Sequence, residues 1–147
     1  MIKINVKRFF QPVSQSTFAS GALLLLRLVV GSAFVIHGWG KIQSPLSWMG
    51  PQATIPGFFQ FLAAISEFGG GICWILGSLT PIAALGIGST MTVAVHMHMI
   101  LRKDPFVNSS GGSSYELALV YLTIAILILT LGPGKFSLDK KIFGDRK

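Results

Sequence analysis

Charge is scarce in this sequence, and acid scarcer still. Only 12% of its 147 residues are charged, and five of those are acidic: Glu67, Asp104, Glu116, Asp139 and Asp145. A soluble domain carries about 25% charge, so too little polar surface exists to solvate a globule of this size. The single cysteine, Cys73, excludes an intramolecular disulfide and a CxxC redox pair. There is no Walker loop, no dinucleotide-binding glycine fingerprint, no H-E-x-x-H and no Ser-His-Asp arrangement. The basic start followed by an apolar stretch imitates a secretory signal. That stretch is too long, contains Arg27 and lacks an A-x-A cleavage site, so it reads as a retained helix.

Long apolar runs are what the chain has in quantity. Hydrophobic residues make up 51% of it, and more than half of the chain lies in four runs of about 17–25 residues, the length that spans ~30 Å of hydrocarbon. The sequence predicts helices over approximately 19–40, 57–79, 81–101 and 115–132. Outer loops follow at 41–56 and 102–114, and a basic tail at 133–147. The expected fold is all-α: one integral membrane domain over 1–147, a four-helix antiparallel bundle. Thr80-Pro81 makes the tightest turn, with proline at the first helical position. Loop 41–56 holds three prolines and Trp48, which suits the membrane interface.

The net charge of +7 points to a bilayer and not to nucleic acid, because the basic residues sit at the two ends. Lys3, Lys7, Arg8, Lys135, Lys140, Lys141, Arg146 and Lys147 share one side if the chain crosses four times. Only Lys41, Arg102 and Lys103 fall on the other. The positive-inside rule then puts both termini in the cytoplasm, in what is expected to be a bacterial inner membrane.

Ionisable residues inside spans are costly and mark candidate sites. Here they are Arg27, His37, Glu67, His96, His98 and Glu116. Helical spacing puts Arg27, Gly31, Phe34, Gly38 and Lys41 on one face of the first helix, and Glu67, Gly70, Gly71, Trp74 and Ser78 on one face of the second. Gly88, Ser89, Thr92, His96 and Met99 share a face of the third; Glu116, Thr123 and Thr130 share one of the fourth. Small and polar residues favour helix–helix contact in membranes, so all four stripes are expected to turn inward. His98 projects about 200° away from His96, and the shared face with Ser89 and Thr92 favours His96 as the inward one. His37, Lys41, His96 and Glu116 then form an outward-facing polar pocket, with Arg27 and Glu67 paired beneath it. Purely structural roles (ion pair, cap, interfacial histidine) remain open for each. A metal on His37, His96 and Glu116, or haem between two histidines, is a weaker alternative, since no ligand spacing supports either.

Several segments resemble the DoxX family of small four-helix membrane proteins. They are RLVVGSAFVIHGWGKI at 27–42, EFGGGICWILG at 67–77, the stretch from Met91 to Ala94, Tyr115-Glu116, and GPGKFSLD at 132–139. The resemblance covers about 22–142 and sets Arg27, His37, Lys41, Glu67 and Glu116 at the family's polar positions. It implies association with quinol oxidase, thiosulfate:quinone or oxidative-stress systems. The expected function is a redox-associated subunit with an intrabundle pocket for a quinone-like molecule. A non-enzymatic assembly or scaffold subunit of a membrane oxidoreductase complex is the alternative, and a small-solute or proton conduit a weaker one. Expected partners are the bilayer, a membrane or periplasmic oxidoreductase, and further copies of the chain.

Overall fold

A computed structural model describes residues 6–146; Lys3 and Lys147, two of the terminal basic residues, lie outside them. The described chain is all-α: α1 Val6–Phe10, α2 Thr17–Gln43, α3 Gly57–Leu76, α4 Thr80–His96, α5 Glu116–Leu131 and α6 Leu138–Phe143. A π-helical turn, Met97–Leu101, prolongs α4. Three helices are long and apolar enough to cross a membrane: α2, α3, and α4 with its π turn. The fourth, α5, is apolar but has 16 residues, about 24 Å of helix. The protein is an integral, multi-span membrane protein. Its outer surface agrees with that: Phe18, Leu25, Ile36 and Phe58 are all exposed, an arrangement lipid tolerates and water does not.

Local chemistry sets the helix ends. Ser16 caps α2, its hydroxyl accepting from Ala19 N at 3.1 Å, so the helix starts two residues earlier than expected and runs on to Gln43. Gly77 adopts the left-handed conformation (φ 64°) and stops α3 at Leu76, three residues short of the expected end; glycine takes this φ without a Cβ penalty. Leu79 is also left-handed (φ 47°), unusual for a branched side chain. It is held there by the tail, as shown below.

Glycines bring α2 and α3 together. A Cβ on Gly31 would lie 2.8 Å from the Gly71 carbonyl oxygen, and one on Gly38 would lie 2.4 Å from Phe68 N. Helix α3 meets α4 through Gly70 against Ile87 and Gly86 against Ser66, and Gly88 of α4 faces Ala125 of α5. The core fills with Phe34 edge-on to Trp74 (5.8 Å), Tyr121 against Phe34 (4.9 Å), and Ile87, Met91 and Ile128.

The two ends of the chain meet. Val13 N donates to Leu131 O, Arg146 N to Pro12 O, and Phe10 stacks on Phe143. The segment expected as a basic tail is therefore a folded closure carrying α6. Asp139, 1% exposed, accepts from Leu79 N (2.8 Å) and Thr80 N (2.9 Å), while its own N–H donates to Gly77 O (2.8 Å). A carboxylate from the tail thus caps the N-terminus of α4, where orphan N–H groups and the helix dipole favour negative charge.

Candidate functional site

Arg27 does not pair with Glu67, which corrects the expectation of a polar floor. Its guanidinium, 1% exposed, donates from Nη1 to Pro133 O (2.6 Å) and from Nη2 to Phe136 O (2.9 Å). Gly77 makes room: a Cβ there would lie 2.6 Å from Nη1. The planar fork of arginine holds two carbonyls at once, so Arg27 fastens the C-terminal closure to α2.

Glu67 pairs instead with Lys41. Lys41 Nζ lies 2.6 Å from both carboxylate oxygens, and the Glu67 side chain is 5% exposed against 24% for Lys41. The ammonium also sits 4.5 Å from the centroid of the Trp48 ring, a cation–π contact. Gln60, buried on α3, positions that ring. Its carbonyl accepts from Trp48 Nε1 (2.9 Å), its side-chain oxygen from Met49 N (3.1 Å), and its amide donates to Ile55 O (2.9 Å). One residue, through its main-chain carbonyl and its side-chain amide, therefore folds the loop after α2 down over the ion pair.

The Lys41–Glu67 pair stands between two cavities and lines both. The larger, about 410 Å³, is bounded by α3, α4 and the loop; Trp48, Phe59, Ser66 and Met97 are among its walls. The smaller, about 290 Å³, lies toward α2, the π turn and α5, and holds His37, His98, Ser114 and Tyr121. Volumes of this order accept small molecules when apolar walls carry a few converging polar groups. His37 makes an edge contact with Tyr121 (6.5 Å between ring centroids). His98 Nδ1 is 2.7 Å from Asp104 Oδ2.

His98, and not His96, is the inward histidine. His96 is exposed on the outer face of α4 and lines neither cavity. The two do point apart as expected, but the inward stripe of α4 is Ala84, Ile87, Met91 and Ala94, which continues to His98 at helical spacing. Of the expected stripe, Gly88 packs toward Ala125 and Ser89 lines the larger cavity, but Thr92, His96 and Met99 face out; the Thr92 hydroxyl needs no partner helix, since Oγ1 donates to Gly88 O of its own helix at 2.8 Å. The same holds on α5, where Thr123 and Thr130 are exposed and bond back to Val120 O and Ile126 O. Glu116 is exposed as well and lines neither cavity. The outward direction of His96 and Glu116 leaves the metal set with His37 unassembled and removes His96 as an axial haem partner for His37. Among the described residues no three His, Cys, Asp or Glu side chains gather as ion ligands.

Of the residues expected in the polar pocket and its floor, then, His37, Lys41 and Glu67 come together, joined by His98, and Arg27, His96 and Glu116 do not join them. Sequence reasoning missed Trp48, Gln60, Tyr121 and Asp104 as parts of the site. For Tyr121 a signal existed: it shares α5 spacing with Ala118, Ala125 and Ile128, all packed inward.

Comparison with known proteins adds to this geometry. The family model described as DoxX matches residues 22–99. A Haemophilus influenzae protein named only as uncharacterised is 31% identical over 123 residues, 82% of this chain and 90% of that protein. "Inner membrane protein YqjF" of Escherichia coli is 31% identical over 128 residues, 80% of this chain and 89% of that protein. "Putative oxidoreductase CatD" of Bacillus subtilis is 29% identical over 127 residues, 84% and 89% respectively. No solved structure matches.

Proposed function

This chain belongs to the DoxX family, and on that premise we propose that it is a redox-associated subunit of a bacterial inner membrane that binds a quinone-like molecule beside Lys41 and Glu67. In this reading α2, α3, α4 and α5 cross the bilayer as an antiparallel bundle. The end that gathers Lys7, Arg8, Lys135, Lys140, Lys141 and Arg146 faces the cytoplasm. Loops 44–56 and 102–115 face outward. The bacterial relatives named for an inner membrane and for an oxidoreductase support both the location and the chemistry class.

The observation that carries the reading is the Lys41–Glu67 pair, its carboxylate buried and its ammonium half-buried, facing an apolar cavity of about 410 Å³. An aromatic ring beside Trp48 and Phe59 sets one oxygen near the ion pair. Lys41 Nζ donates to a quinone carbonyl; the Glu67 carboxylate accepts from a hydroquinone hydroxyl. A hydrogen bond to a charged group contributes about 1.5–3 kcal/mol, so removal of either partner weakens binding on the order of 10- to 100-fold.

Titration of the purified protein in nanodiscs with a short-chain quinone, followed by the quenching of tryptophan fluorescence that Trp48→Phe abolishes, tests this. Glu67→Gln and Lys41→Met weaken binding by at least tenfold, and His37→Ala by less. Equal affinity in wild type and in the Glu67 and Lys41 variants removes the site. A second reading, an assembly subunit, draws on His96: an imidazole on the outer face of a spanning helix, without a hydrogen-bond partner among the described residues, suits a contact with another subunit. Crosslinking from position 96 to a co-purifying oxidoreductase, with no quinone bound, favours it.

A further inference from the structure

The smaller cavity contains chemistry that ligand binding in the larger one does not use. Its walls bring together His37 and Lys41 from α2, Glu67 from α3, His98 from the π turn and Tyr121 from α5, and it reaches Ser114 in the outer loop. Glu67 lies well inside the bundle; Asp104, bonded to His98, lies in the loop segment and is 18% exposed. The two neighbouring cations, Arg102 and Lys103, are exposed, and Tyr115 and Glu116 line no part of the cavity.

We propose that His98, oriented by Asp104, exchanges protons between Glu67 and the outer surface across this cavity. The proposal rests on the reading of Lys41–Glu67 as the ligand-contacting pair and assigns that pair its proton route.

Three features support it. First, the 2.7 Å contact of His98 Nδ1 with Asp104 Oδ2 fixes the tautomer: Nδ1 carries the hydrogen and Nε2 is the free acceptor. A carboxylate behind an imidazole also stabilises the imidazolium that forms when Nε2 takes a proton. Second, the π turn at Met97–Leu101 is where His98 sits; single π turns inside α-helices recur at functional sites. Third, the cavity of about 290 Å³ has room for several waters, each occupying about 30 Å³, and its polar groups can hold them. Among the described residues the His37 ring has no hydrogen-bond partner, so it is free to bond such a water.

The step balances without an oxidant. A proton on the Glu67 carboxyl passes through cavity water to His98 Nε2. The carboxylate left behind returns to Lys41. The imidazolium, paired with Asp104, releases its proton to outer water. Imidazole can take a proton on one ring nitrogen and release one again, which suits it to a proton shuttle.

The test follows the Glu67 carboxyl itself. The full chain in nanodiscs is subjected to a rapid pH drop, and the carbonyl stretch of protonated Glu67, identified by its loss in Glu67→Gln, is recorded by time-resolved infrared spectroscopy. In wild type the band appears quickly. His98→Asn slows it on the order of 100-fold, the contribution a positioned proton-transfer group commonly makes, and imidazole in the medium restores the rate. Asp104→Asn slows it less and is also restored. A packing role for His98 does not respond to imidazole. If His98→Asn fails to fold, Asp104→Asn carries the test, since it leaves the ring in place. Rates within twofold of wild type in the folded variants, or slowed rates that ignore imidazole, overturn the proposal. Quinone titration of the same samples separates the two readings. His98-dependent kinetics without quinone binding remove the ligand and leave the route. Quinone binding with His98-independent kinetics removes the route alone.

Discussion

Replacing Gly38 with alanine adds one methyl group where α2 and α3 come closest. The added Cβ would stand 2.4 Å from Phe68 N, 2.7 Å from its Cα and 2.8 Å from its Cβ, where ordinary contact begins at 3.4 Å. Two of those three atoms are backbone, so no rotamer change relieves the overlap, and the helices must part by about 1 Å at this level. Overpacking of this kind costs about 1–3 kcal/mol, against which alanine regains up to about 1 kcal/mol of helix propensity. The consequence reaches the site, because Lys41 and Glu67 lie one turn beyond Gly38 and directly before Phe68. A separation of about 1 Å added to a 2.6 Å contact takes it past hydrogen-bonding range. Gly40 supplies the control. It lies on the same helix two residues away, and a Cβ there meets nothing within 4 Å, so Gly40→Ala gains propensity with no clash. Unfolding by SDS titration, followed by helical circular dichroism, should set the two variants apart by about 1–3 kcal/mol, the overpacking cost alone, since both gain the same propensity, Gly40→Ala being the more stable. Quinone affinity should fall only in Gly38→Ala. Equal stability of the two variants would refute the close-approach argument.

Three further outcomes follow from the closure of the chain ends. Asp139→Ala leaves Leu79 N and Thr80 N without their carboxylate and should lower stability by about 2–4 kcal/mol, judged from two charge-assisted hydrogen bonds at a helix N-terminus; Asp139→Asn, which keeps one acceptor oxygen, should lie between, and an alanine variant within 0.5 kcal/mol of wild type, about the scatter of harmless surface changes, contradicts the cap. Arg27→Lys cannot hold the Pro133 and Phe136 carbonyls together, so trypsin should cut after Lys135, Lys140 or Lys141 faster than in wild type while α2 stays helical; unchanged proteolysis counts against the latch. Leu79→Gly relieves a left-handed φ and should be neutral or stabilising by up to about 1 kcal/mol, in contrast to the loss glycine causes elsewhere in helices, as thermal unfolding of the variant can show.

How much of this was readable in the chain depended on the kind of polar residue. Glycine and charge gave the inward faces of α2 and α3, though Glu116 on α5 faces out. Gly31 and Gly38 on α2, and Glu67, Gly70 and Gly71 on α3, lie where the spacing put them, because a buried ion and a backbone contact each need a neighbour. Hydroxyls misled. Thr92, Thr123 and Thr130 satisfy themselves on carbonyls three or four residues back, so they carry no information about which side meets another helix. That error selected His96 over His98. The partners of Arg27 were hidden for a different reason: they are main-chain carbonyls more than a hundred residues away, and no side-chain pattern announces a carbonyl. The ring type of Trp48 points to an interface, but its place over Lys41 depends on Gln60 and on how a proline-rich loop turns.

The Arg27 latch also has a consequence for biosynthesis. Arg27 enters the membrane with the first long helix, yet the carbonyls that receive its guanidinium are made only after α5. Throughout the interval the nascent chain carries an intramembrane cation without its native partners, at a cost of about 2.5–3.5 kcal/mol on insertion scales. A chain cut short before residue 133 therefore keeps its long helices but leaves Arg27 without the carbonyls of Pro133 and Phe136. Main-chain carbonyls made after α5 thus complete the burial of a charge on α2.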